Sequence, residues 1–176
     1  MRRAAVAAVL GLATACGYRL LYADKPFGAA AVAVLPFVED TPVGLTQDLA
    51  LALNQRLAAA GVHLTTDEAH ADAVLSGRLV GSQTLQSPAA GIGARVPAYD
   101  LRLQLQAWLT DRQGKELWRT ALELSESFLP STATGDTVLL ETEANRRRAL
   151  LRLADAAARV LVERLGVASA AAAEGS

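Results

Sequence analysis

The chain has little of what most chemistry needs. It holds one cysteine, Cys16, in 176 residues, so an intrachain disulfide is excluded and an exported free thiol would stand out. It holds two histidines, His63 and His70, and neither lies at ligand spacing from a cysteine or a carboxylate pair, which argues against a metal site. Neither G-x-S-x-G nor H-E-x-x-H occurs. Gly91-Ile92-Gly93 lacks the third glycine of a dinucleotide cradle, since Val96 stands in its place. No enzyme activity and no cofactor are expected. One sign of charge does not dominate either: 17 Lys and Arg face 18 Asp and Glu, so net charge offers no attraction for nucleic acid. Aromatics are 5%, yet 52% of residues are hydrophobic, mostly Ala, Val and Leu, which suffices for one packed domain.

The N-terminus departs from this balance. Met1-Arg2-Arg3 is basic, residues 4 to 12 are apolar apart from one Gly, and Ala13-Thr14-Ala15-Cys16 supplies small residues and then the cysteine. That layout is an export signal over residues 1–15. The run is shorter than the ~20 apolar residues of a membrane span. Ala13-Thr14-Ala15-Cys16 resembles the lipobox of bacterial lipoproteins, with Ala13 where Leu is commoner. The resemblance implies cleavage before Cys16, acyl groups on that residue, and a durable anchor, at ~0.8 kcal/mol per buried methylene. Gly17, standing where Asp would retain the inner membrane, favours the outer membrane by the same analogy.

The mature chain reads as alternating short elements. Residues 31 to 37, AVAVLPF, form an apolar run closed by a proline and suit a buried strand. Leu45, Leu49, Leu53 and Leu57 make a helical stripe over Leu45 to Ala60, with Gly61 as its stop. A second extended stretch starts at Val62, and a third runs from Ala73 to about Thr84. Ser82 to Pro97 is rich in Gly, Ser and Pro and reads mostly as a mobile loop. From Tyr99 to Leu109 the period is two: Leu101, Leu103, Leu105, Ala107 and Leu109 share one face, and Arg102, Gln104, Gln106 and Trp108 the other. Asp111 to Lys115 is a hairpin turn, and Leu117 to Phe128 returns with Trp118, Thr120, Leu122, Leu124 and Phe128 on the inner face. A long helix spans about Val138 to Leu165 and stops at Gly166. Residues 167–176 are read as a disordered Ala-rich tail.

The predicted fold is α+β: a two-layer sandwich, one mixed sheet of roughly four strands with two helices on one face, over residues 16–166. Its other sheet face is left without helices.

Four pieces resemble the LptE family of lipopolysaccharide-assembly lipoproteins. They are Cys16-Gly17-Tyr18-Arg19-Leu20; the strand–helix unit from Val32 through Gly44-Leu45-Thr46 to Leu57; residues 72–79, DAVLSGRL; and residues 98–103 with 111–118, joined to 143–150. Their order and spacing carry the likeness more than any one piece. The resemblance implies a plug in the lumen of an LptD-type outer-membrane β-barrel, help in assembling that barrel, and contact with lipopolysaccharide, with no bond made or broken. It places the chain at the outer membrane, on the periplasmic side, held by acyl groups on Cys16. Basic residues near strand tips and loops are the family's lipopolysaccharide contacts, and here Arg95 is the first candidate, with Arg78 and Arg102 behind it. Arg146, Arg147 and Arg148 read as a solvated helix face. The competing reading is another periplasmic lipoprotein of similar layout, a cell-wall-synthase activator or a TolB-like module, which the strand–helix unit also fits.

Overall fold

In the computed structural model, the residues described are 25–40, 44–88, 97–131 and 137–175, with side chains left aside for 81–88 and 97. The export signal, Cys16 and Arg95 lie outside them.

Six strands form one mixed sheet, two more than the sequence suggests. The first, β1 (Val32–Val34), and β2 (Val38–Glu39) are two pieces of one extended segment. Pro36 interrupts it, lacking the N–H that a ladder requires. Both pieces lie parallel to β4 (Ala73–Pro88), β1 on Ala73 to Leu75 and β2 on Arg78 and Leu79. On the far side of β1 lies β3 (Leu64–Thr65), also parallel. The antiparallel ladder of β4, β5 (Pro97–Asp111) and β6 (Glu116–Phe128) completes the sheet.

The helices are α1 (Thr46–Ala59) and α2 (Thr137–Glu174). No side chain of its own caps α1. Instead the Glu39 carboxylate reaches from β2 and accepts the Leu45 amide at 2.8 Å, satisfying a donor that a helix start leaves open. Asp48 pairs with Arg147, and Arg56 with Asp155. Each partner lies eight residues further along its own helix, so the helices run the same way. Leu45, Leu49, Leu53 and Leu57 of the first stripe are buried, as are Leu150, Leu153, Ala154, Ala157, Leu161 and Leu165 of the second. They meet Leu101, Leu103, Leu105, Ala107 and Leu109, so the predicted α+β two-layer arrangement is what forms.

Gly77 shows how closely the layers meet. A Cβ there would lie 2.1 Å from Phe37 Cε1 and 2.4 Å from the Gln106 carbonyl oxygen, so the strand needs glycine where the Phe37 ring crosses it.

Two expectations are corrected. Within the stretch from Ser82 to Pro97, the described residues are strand and not loop: β4 continues to Pro88 and pairs with β5 down to Pro97, across an irregularity between Val80 and Ser82. Cross-strand pairing overrides a composition that by itself favours turns. Nor does Gly166 end the last helix. It continues to Glu174, and Ser169 Oγ, buried, accepts the Phe27 amide at 2.9 Å. That contact ties the segment predicted as a disordered tail to Phe27, at the other end of the described chain. A glycine inside a helix costs about 1 kcal/mol relative to alanine; here Gly166 is buried in the helix–core contact, which offsets that cost.

Candidate functional site

The helices cover one sheet face. On the other, the side chains of β4, β5 and β6 stand in cross-strand rows. Ser76, Trp108 and Arg119 make one row, and Arg78, Gln106 and Ala121 the next. Val80, Gln104 and Glu123 follow, and Arg102 lies opposite Ser125. Alternation along each strand dictates the split, since successive side chains point to opposite faces. These rows carry three arginines, one glutamate, two glutamines and one tryptophan, with Val80 and Ala121 between them. A shallow depression of about 290 Å³ lies at its centre, lined by Val80, Gln104, Gln106, Ala121 and Glu123 among others.

The cations on this face are held differently. Arg78 stands 3.7 Å from Asp40, with both side chains about half exposed, a loose pair of small energetic weight. Arg119 is fixed on two sides. Its Nε donates to both Glu116 oxygens, at 3.0 and 2.9 Å, and its guanidinium lies 5.5 Å from the centre of the Trp108 ring. The hydrogen bond from Arg119 holds the Glu116 carboxyl below the ordinary carboxylate range, with their charge attraction adding to it and partial desolvation opposing it. The same bond raises the Arg119 guanidinium above its usual value. Arg102 is exposed and has no ion pair among the described residues. It is the cation on the face most available to an outside anion.

The sequence-predicted residues therefore fare unequally. Arg78 and Arg102 share the bare face; Cys16 and Arg95 fall outside the described residues. Arg147 is not a freely solvated charge, because it forms a two-point pair with Asp48, whose side chain is only 17% exposed. Arg146 pairs with Glu143 at 2.8 Å, and Arg148 is exposed. The sequence reading missed Arg119. Its parity with Glu123 and Ser125, which places it on the outer face, was the usable signal; its register opposite Trp108 comes from the structure.

Chemistry of other kinds finds no support among the described residues. No three His, Cys, Asp or Glu side chains there group to hold a metal. No helix there is long and apolar enough to cross a membrane. His70 pairs with Asp67 at 2.6 Å in an exposed turn.

A family model for lipopolysaccharide assembly, LptE, matches residues 29–165. The chain belongs to the LptE family. The match covers both helices through Leu165 and every strand of the sheet. No curated protein matches the sequence. Among solved structures, similar folds recur at low identity. A putative lipoprotein from Caulobacter crescentus superposes with a TM-score of 0.55 at 16% identity, covering 84% of this chain and 95% of that one. An uncharacterised lipoprotein B from Nitrosomonas europaea gives 0.51 at 14%, covering 84% and 88%. At such identities the likeness speaks for the fold alone.

Proposed function

We propose that the chain is an outer-membrane lipoprotein that seats its bare sheet face against the lumen wall of an LptD-type β-barrel and assists lipopolysaccharide on its way to the outer leaflet. Acyl groups on Cys16 anchor it on the periplasmic side. The work is steric and electrostatic, and the chain makes and breaks no covalent bond. The observation that carries this reading is the uncovered, mostly polar face of β4, β5 and β6 in a chain of the lipopolysaccharide-assembly family. Outer-membrane barrels have polar interiors, so a polar face with scattered arginines and amides finds partners there without burying apolar surface. The lipid anchor keeps plug and barrel on one membrane and makes their encounter effectively intramolecular.

Lipopolysaccharide carries phosphates and carboxylates in its inner region, and arginine's planar donor fork suits both. Arg102 is the candidate with no ion pair among the described residues, Arg78 the loosely paired second, and Arg95, just before β5 in the sequence, the third. The test is recovery of tagged chain from detergent-solubilised outer membranes. Co-recovery of a large β-barrel at equal stoichiometry supports the reading; recovery of a peptidoglycan synthase instead would replace it with the cell-wall-synthase activator. Arg95→Asp and Arg102→Asp should weaken lipopolysaccharide binding more than barrel recovery. Equal loss of both would make these residues structural.

A further inference from the structure

The two ends of the sheet differ in what they carry. One end holds the β4–β5 connection and the start of α2. The other holds the β5–β6 turn, the last turns of α2 and Lys25, the first described residue. At this second end a cavity of about 670 Å³ opens between three elements. Phe27, Leu117, Ala170 and Ala173 give it apolar walls, and Lys25 and Lys115 stand at its lining. Both lysines are exposed, and neither has an ion pair among the described residues. Two carboxylates at the β5–β6 turn are committed elsewhere, and Glu174 stands exposed at the end of α2. Glu116 is taken by Arg119, and Asp111 Oδ1 accepts the Gln113 and Lys115 amides at 2.9 Å each.

We propose that this pocket holds the phosphate headgroup and upper acyl region of an anionic phospholipid from the leaflet that bears the anchor. Two ammonium groups over apolar walls match a phosphate set above hydrocarbon. Position agrees with chemistry. Nine residue steps lead from Cys16 to Lys25, and a fully extended segment of that length reaches at most about 30 Å. An acylated Cys16 therefore keeps this end within reach of the bilayer surface. The bound lipid would orient the sheet, so that the opposite end points away from the periplasmic leaflet. The inference rests on the Cys16 anchor of the proposed function, but its test does not use that anchor.

The test uses the full mature chain with Cys16→Ser, which cannot be acylated, and sedimentation with vesicles. Vesicles of phosphatidylethanolamine and phosphatidylglycerol should retain the chain, and phosphatidylcholine vesicles should not. Lys25→Gln with Lys115→Gln should lower retention about thirtyfold at low salt, as expected for two lysines near an anionic surface. Lys25→Arg with Lys115→Arg should keep it, which separates charge from folding damage. Arg78→Gln with Arg102→Gln should leave it unchanged. Retention that survives the lysine pair, or falls equally with the Arg78 and Arg102 pair, would overturn the assignment. Full competition by millimolar inorganic phosphate would also overturn it, by making the pocket a free-anion site. Barrel recovery with the lysine variants, measured in parallel, should stay intact. Its loss in the wild-type chain would count against the plug and not against this pocket.

Discussion

Strand β5 carries two surfaces that differ by a single step along the chain. Leu101, Leu103, Leu105, Ala107 and Leu109 are each at most 1% exposed, while Arg102, Gln104 and Gln106 between them are exposed. The covered face holds the fold together through buried hydrocarbon. The bare face, on the proposed function, offers its donors and acceptors to another molecule. Stability and recognition are thus assigned to alternate residues of one strand, and substitutions should separate them.

The largest effect is expected on the covered side. Leu103→Ala should cost about 2–5 kcal/mol in urea unfolding, through lost burial and a cavity. Gly77→Ala should cost about 1–3 kcal/mol, because the new methyl meets the Phe37 ring and the Gln106 carbonyl; Phe37→Leu in the same chain should return part of that loss. On the bare side the order reverses. Trp108→Ala removes the Arg119 stacking contact of a partly buried ring, about 1–2 kcal/mol. Yet it should weaken barrel binding by more than about 1 kcal/mol if Trp108 anchors the interface. Gln104→Ala should change stability by less than about 0.5 kcal/mol by the same unfolding measurement. The smallest effect concerns pH. Glu116 has a lowered pKa in the folded chain, so its pairing with Arg119 contributes above the unfolded carboxylate pKa and is lost as pH falls through the folded one. A melting series into acid should show Glu116→Gln narrowing the gap to wild type as pH drops.

How much of this was legible beforehand follows from the kind of signal. The period of two in β5 and the leucine stripes of α1 and α2 are local patterns, and they placed the core correctly. The six-strand count was not legible, because β2 and β3 are two residues each and carry no period of their own. The long arms of β4 and β5 were hidden for a different reason. Gly, Ser and Pro after Val80 favour turns locally, and only the facing strand holds them extended. The helix beyond Gly166 depends on Ser169 meeting Phe27, 142 residues earlier, a contact that no window along the chain contains. For the site, Arg78 and Arg102 were readable as outer-face cations, whereas the Arg119–Trp108 pair needed the register between β5 and β6.

The claim that the bare face is the docking surface is tested most directly by a photo-activatable residue at position 104, in the middle of that face, in cells carrying the full-length chain. Illumination should yield one dominant adduct, with a large outer-membrane β-barrel. An adduct with a cell-wall synthase, or a position 104 that reacts only with water, would contradict the account.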